Sequence, residues 1–368
     1  MSGVNSSNVG PSKRKPGGRV NLVLFFIRHL AKSLFLFVVF VSAASAQSGS
    51  SILPGPKPPD APPQWKKLIG VYADKQNPKI TYILLEQDGK LFWRDEEGTN
   101  RQFVASGDEV TPAPQGTKIS SRATAHDKPS SLSLCCRRTD PGADASRFFR
   151  IQPSQPIEKL RMEALAALPP EEKRTFRAPD LVELAPLDPL IHLDIRYATE
   201  SDFLGVPVYT EARAFLQRPA AEALLRVLGK LQPLGYGLLI YDGYRPWYVT
   251  KIFWDATPPE GKIFVADPAQ GSRHNRACAV DLTLYDLKTG KAVEMTGEYD
   301  EMSPRSFPNY PGGTSLERWH RDLLRRAMES EGFAVYESEW WHFDYKDWRE
   351  YGILNIPFEK LGIGGATK

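Results

Sequence analysis

The spacing of apolar residues changes character once along the chain, near Pro156, and that change limits the possible folds more than any other feature. Before it, the short runs Ile80–Glu86 and Leu91–Arg94 flank Asp88-Gly89, a pair suited to a two-residue hairpin, and Glu97-Gly98 opens the next turn. β-like runs recur at Ser131–Cys135 and Phe148–Ile151. Residues 64–155 are therefore expected to form a small antiparallel sheet or barrel, an all-β accessory domain. After Pro156 the period lengthens. Pro156 to Leu168 reads as a connecting helix within a 156–177 linker, and Ile191–Tyr197 as a strand. Ala220, Leu224, Leu228 and Leu231 recur at helical spacing, with Gly235 as a stop. Leu238–Tyr241 is a short apolar strand ending in Asp242-Gly243. Ser315 is placed to cap a helix that carries Leu316, Trp319, Leu323, Ala327 and Met328 on one face and closes at Gly332. The expected class over 178–368 is α+β, a mixed or antiparallel sheet with flanking helices. No internal repeat is visible.

The first 46 residues follow a different logic. Lys13, Arg14, Lys15, Arg19, Arg28 and Lys32 face no acid, and Leu34–Val41 is an apolar run leading to Ser42-Ala-Ala-Ser-Ala46. This order is that of an export signal with a small-residue cleavage site, so the mature chain is expected to be periplasmic or secreted. An uncleaved anchor is the alternative; Arg28 and Lys32 break the apolar stretch and argue against a stable membrane span. No Cys stands at the cleavage point, which disfavours a lipid-modified N-terminus. Residues 47–63 are rich in Pro, Gly and Ser and read as a linker. The formal charge of +3 belongs to the leader. Without it 41 basic side chains face 44 acidic ones, for a balance of −3, which gives no electrostatic footing for nucleic acid.

Three cysteines cannot all pair, and Cys135 and Cys136 are neighbours, so no disulfide framework is expected. Past the leader the histidines are His126, His192, His274, His320 and His342. His274 lies in Ser272-Arg-His-Asn-Arg-Ala-Cys-Ala-Val-Asp281, and His342 ends Glu339-Trp-Trp-His342. Hydrolytic zinc takes three His or carboxylate ligands and keeps one position open, a set that His274, Asp281 and His342 can supply. Taken alone, the His-x6-Asp spacing is common in loops, and a surface histidine beside a strand-end carboxylate is its simpler reading. Glu339 shifts the balance. Metal-assisted peptide hydrolysis needs a base that takes a proton from water and gives it to the leaving amine. A carboxylate walled by Trp340 and Trp341 fits, since an apolar wall raises its pKa. On a regular strand Glu339 and His342 would point to opposite faces, so a bulge or strand end is expected there. The tryptophans also suit a plain core. Arg245, in Tyr241-Asp-Gly-Tyr-Arg-Pro246, stands just past a buried strand, where a guanidinium can reach a cleft and stabilise an oxyanion. By itself the hexapeptide reads more simply as a solvated loop. Asp242 is the neighbour suited to orient Arg245.

Together these segments resemble the D-alanyl-D-alanine dipeptidases of peptidase family M15. The matching pieces are Asp194-Ile-Arg-Tyr-Ala-Thr199 with Phe203-Leu-Gly205, Tyr241–Pro246, Ser272-x-His274 through Asp281-Leu-Thr-Leu284, and Glu339–His342, in family order across about 170 residues. The resemblance implies a zinc peptidase domain with one Zn2+ per chain on His274, Asp281 and His342, and Glu339 as general base. It implies Arg245 at the scissile carbonyl with Asp242 beside it, Ser272 at the substrate carboxylate and Asp300 at the substrate ammonium. The chain departs from the pattern in three places. Asn275 and Ala277 stand where the family has Ser and Gly, and Ala is a poor residue for positive φ, so that loop is expected to sit differently. The usual Asp-Met-Gly-Thr-Pro-Phe-Asp becomes Glu294-Met-Thr-Gly-Glu-Tyr-Asp300, which puts most strain on the ammonium pocket. Cys278 beside the ligand strand suits a small buried residue. The implied activity is hydrolysis of D-Ala-D-Ala or similar small dipeptides. A carboxypeptidase trimming peptidoglycan stems, or a non-catalytic wall-binding protein on the same fold, are the competing expectations.

Overall fold

The computed structural model describes residues 51–106, 109–112, 136–140 and 150–362. The leader, Ser131–Cys135 and His126 lie outside these. From Ile52 onward the chain forms one compact unit.

The short-period region folds as expected into an antiparallel sheet. It contains β1 (Gly70–Asp74), β2 (Thr81–Gln87), β3 (Lys90–Arg94), β4 (Asn100–Ser106), β5 (Glu109–Pro112) and β6 (Cys136–Arg138), ordered β5-β4-β3-β2-β1-β6. The β2–β3 turn has positive φ at both Asp88 (51°) and Gly89 (73°), the geometry that a two-residue hairpin demands. Outer strands β5 and β6 leave the sheet open, so it is no barrel among the described residues. Arg150 and Ile151, the described part of the run expected near 148–151, are not in a strand. A small cluster built on Ile69, Tyr72, Leu84, Leu91, Trp93 and Cys136 fills one face. The sheet is tied to the rest by Glu86, whose carboxylate accepts from the Ser315 backbone N–H (2.6 Å), and by a Lys66–Glu294 ion pair (2.6 Å).

Beyond Pro156, helix α1 (Ile157–Ala166) buries Ile157, Leu160 and Ala164. Strands β7 (Leu181–Glu183), β8 (Ile191–Leu193) and β9 (Phe215–Gln217) follow. β8 is shorter than expected, because the chain turns into a single 3₁₀ turn at Arg196–Ala198. Helix α2 (Arg218–Leu231) buries the Ala220, Leu224, Leu228 and Leu231 stripe, and Gly235 takes φ 87° beyond it. Then come β10 (Tyr236–Asp242), α3 (Trp247–Ala256), β11 (Ala279–Asp286), α4 (Ser315–Glu329), β12 (Phe333–Tyr336) and β13 (Glu339–Tyr345). The N-cap of α4 is Thr314, one residue before the expected Ser315. Thr314 and Glu317 cap reciprocally, each side chain accepting from the other's backbone N–H.

The main sheet runs β12-β13-β11-β10-β8, antiparallel except for the parallel β10–β8 pair, while β7 and β9 form a separate antiparallel pair. Its middle strand is buried along nearly its whole length, so β11 reads AVDLTLYD with polar residues where the site begins. Helices α2 and α4 pack together beside this sheet, and α1 packs on α3. No helix of the described residues is long and apolar enough to cross a membrane. Cys278 is fully buried and in no disulfide.

Candidate metal centre

Three neighbouring strands bring the polar residues into a row. Asp242 ends β10 opposite Asp281 of β11, and Asp281 pairs in turn with His342 of β13. His274 comes from a single 3₁₀ turn, His274–Arg276, that feeds β11. The turn closes through Ala277, which adopts φ 53° despite its methyl group. Ala277 thus holds the positive φ that its methyl group was expected to resist. Asn275 is what locks the turn: its Oδ1 accepts from Ser272 N (2.7 Å), and its Nδ2 donates to Arg245 O (2.9 Å) and Thr250 Oγ1 (2.8 Å).

Each histidine has one nitrogen committed outward and one turned inward. His274 Nδ1 lies 2.7 Å from the Gly243 carbonyl, which accepts its proton and leaves Nε2 as the inward lone pair. Gly243 must be glycine, because a Cβ there would meet Phe215 O at 2.7 Å. His342 Nε2 donates to Asp344 (2.9 Å), leaving Nδ1 inward. The inward atoms converge: His274 Nε2 to His342 Nδ1 is 3.0 Å, and Asp281 Oδ1 is 3.3 Å and 3.1 Å from them. One ligand atom from each residue lies within 4.8 Å of the others, all three residues are buried, and Asp281 Oδ1 is enclosed with no hydrogen-bond partner. Two imidazole nitrogens and a carboxylate oxygen left over for a further partner fit a zinc-type cation. The electrostatics agree. Burial works against charge on His342, but Asp281 and Asp344 outweigh it and hold its pKa at about 10. Burial likewise raises Asp281, yet the two imidazoles pull it well below the carboxylate range. A cation and a proton compete for that inward nitrogen.

Glu339 opens β13. The β12–β13 pairing jumps from Val335–Phe343 to Tyr336–Glu339, so Trp340, Trp341 and His342 bulge together. This is the irregularity that the Glu339–His342 spacing calls for, and it brings Glu339 Oε2 to 3.6 Å from His342 Nδ1. Both tryptophans are buried. Burial pushes the Glu339 pKa up to about 7, His342 opposes the rise and Asp281 adds to it.

Arg245 Nε donates to Asp242 Oδ2 (2.9 Å), and Asp242 Oδ1 accepts from Tyr209 Oη (2.7 Å) and Gly243 N (2.8 Å). The guanidinium stands over the Phe253 ring and 3.7 Å from Asp281. Ser272 caps the His274 turn from the cavity wall, with its Oγ accepting from His274 N (3.2 Å). Asp300 takes φ 60°, and its Oδ1 accepts from Tyr197 Oη (3.1 Å). Its Oδ2 is enclosed without a partner, and burial raises its pKa well above the usual carboxylate value. The triad, Glu339, Arg245, Ser272 and Asp300 line one cavity of about 60 Å³.

Two neighbours escaped the sequence reading. Asp344 is two residues past His342 on the same strand, a His-x-Asp pattern too short to stand out, and it also pairs with Arg273 (3.3 Å). Tyr299 donates its hydroxyl to Asp281 Oδ2 (3.1 Å). Tyr299 also borders a second cavity of about 300 Å³ lined by residues of both large sheets.

Residues 177–358 match the family described as D-Ala-D-Ala dipeptidase, peptidase M15. A D-alanyl-D-alanine dipeptidase of Escherichia coli is 35% identical over 179 residues, covering 49% of this chain and 91% of that protein. Those of Enterococcus faecalis (36% over 182 residues, 44% of this chain and 90% of that one) and Streptomyces coelicolor (35% over 175 residues, 43% and 87%) bear the same description. The matched segment holds every residue of the cavity described above and stops short of the six-stranded sheet. The chain belongs to the D-Ala-D-Ala dipeptidase family of M15 metallopeptidases.

Proposed function

We propose that the chain hydrolyses D-Ala-D-Ala or a similarly small dipeptide with one zinc ion held by His274, Asp281 and His342. The observation that carries this reading is the closed convergence of Glu339, Arg245 and Asp300 on the triad within a single small cavity. A bound zinc ion supplies Lewis-acid activation of water and of the scissile carbonyl. Glu339 takes the proton from the attacking water and hands it to the leaving amine, a task served by a pKa near 7. Arg245, held by Asp242, faces the charge that develops on the carbonyl oxygen. Ser272 meets the substrate carboxylate and Asp300 its ammonium, so the two ends of the cavity measure dipeptide length. The basic and then apolar start of the chain supports action after export, on dipeptides of peptidoglycan metabolism.

The test compares D-Ala-D-Ala with its N-acetyl form on zinc-loaded protein. An unpaired buried charge costs roughly 3–5 kcal/mol, but Asp300 escapes part of that by staying protonated, so the expected loss in kcat/KM is on the order of 10²-fold. Equal rates on both would sink the dipeptidase reading in favour of a stem-trimming carboxypeptidase. Zinc uptake with no turnover of either would favour the wall-binding protein.

A further inference from the structure

Asp281 has two oxygens with different fates. Oδ1 faces both inward histidine nitrogens and has no hydrogen-bond partner, while Oδ2 accepts from Tyr299 Oη at 3.1 Å. The tyrosine is itself closely placed. Its ring stacks on Tyr241 (centroids 4.3 Å apart, planes 13° apart) and meets the edge of Trp341 at 5.5 Å. A phenol hydroxyl beside a carboxylate oxygen acts as the donor, so the contact runs from Tyr299 Oη to Asp281 Oδ2.

A plain packing role would explain a buried ring, and a buried phenol needs some partner. One observation goes further. Tyr299 also lines the second cavity, about 300 Å³, in whose wall Asp281 takes no part. A ring bordered by open space has somewhere to move, so the Tyr241 stack and the hydrogen bond must fix it.

We propose that Tyr299 is a positioning residue for the metal centre, occupying Asp281 Oδ2 so that Oδ1 alone is presented between His274 and His342. The hydroxyl thereby sets one-oxygen ligation by Asp281 and keeps the carboxylate plane from rotating toward Arg245, which lies 3.7 Å from the same Oδ2. The inference rests on the metal reading of His274, Asp281 and His342 given above. Tyr299 is also joined by one peptide bond to Asp300, so the segment that grips the ligand carboxylate carries the ammonium-binding acid as well.

The test is Tyr299→Phe in the full chain, with zinc affinity measured by competition against a chromophoric chelator and the visible spectrum of the cobalt-substituted protein recorded beside it. Loss of a hydrogen bond to a ligating group typically weakens metal binding roughly 10-fold to 100-fold, and the cobalt bands should shift as Asp281 changes its mode of binding. Asp344→Asn, which weakens the support of His342, serves as the positive control. Unchanged affinity and an unchanged cobalt spectrum in Tyr299→Phe, with Asp344→Asn weakened, would overturn the inference alone. A wild-type chain that takes up neither metal would overturn the metal reading and the inference together.

Discussion

The two ends of the small cavity are built on opposite principles. At the triad end each side chain is held by the chain on its outer side, with Asp281 Oδ1 alone left unpartnered: Gly243 holds His274, Asp344 holds His342, and Tyr299 holds the other oxygen of Asp281. The triad and its two outward supports, Gly243 and Asp344, stand on or beside three adjacent strands of the main sheet, where backbone pairing fixes their positions; only Tyr299 comes from outside it. At the other end Asp300 sits in an irregular segment at φ 60°, with one oxygen enclosed and unpartnered. A left-handed non-glycine residue and an unsatisfied carboxylate each cost of order 1–3 kcal/mol. In the function proposed above, the first end is organised before anything binds and the second is completed by the substrate, so chemistry and selection fall to different ends.

The sharpest way to break the comparison is at the metal end. His274→Ala or His342→Ala should lose both zinc and activity, whereas Glu339→Ala should keep zinc and lose kcat on the order of 10²-fold or more. Metal analysis beside single-turnover kinetics separates the two, and stoichiometric zinc in either histidine variant would remove that residue from the ligand set. A smaller effect is expected opposite. Asp300→Ala should leave zinc content unchanged and act mainly on the free dipeptide, shrinking its advantage over the acetylated one. Equal loss on both substrates would mean that Asp300 shapes the cavity without reading the ammonium.

The smallest effect lies outside the cavity and is silent at neutral pH. His320 Nδ1 donates to Glu294 O (3.2 Å), and its Nε2 faces Tyr236 Oη (3.3 Å), which in turn accepts from Lys57 (2.6 Å). Burial drives its pKa down from 6.5 to about 4, with Lys57 adding to the fall and the Glu294 carbonyl opposing it. The unfolded chain thus binds more protons between these values, and stability contributed by neutral His320 is lost as pH falls from 6.5 towards 4. His320→Gln should flatten the pH dependence of Tm across this window by a few degrees, with kcat/KM at pH 7 unaltered. An acid slope identical to wild type would return the effect to other groups.

Much of this arrangement was legible because it rests on local rules. The Asp88-Gly89 turn, the α2 stripe and the β13 irregularity each follow from spacing within a dozen residues. What escaped depends on side-chain direction across long separations. Tyr299 reaches Asp281 only because a segment outside the sheet folds back over β11, and no periodicity announces it. Asp344 was hidden for the opposite reason: two residues apart on a strand is the commonest of spacings. Ala277 can hold positive φ because the Cβ penalty there is modest beside the Asn275 and backbone hydrogen bonds that close the turn.

His274 and His342 are 68 residues apart, and their inward nitrogens meet only through the pairing of β11 with β13. In the denatured chain, bringing such distant ends together carries a loop-closure entropy of about 3–4 kcal/mol, so the unfolded polypeptide is a poor chelator. A cation bound only by the native state raises the unfolding free energy by mass action, about 2.7 kcal/mol at a free concentration 100 times its dissociation constant. Thermal denaturation in buffered zinc therefore reads out the integrity of the triad without any substrate, and an ion that serves the proposed reaction would also act as a cross-link between strands.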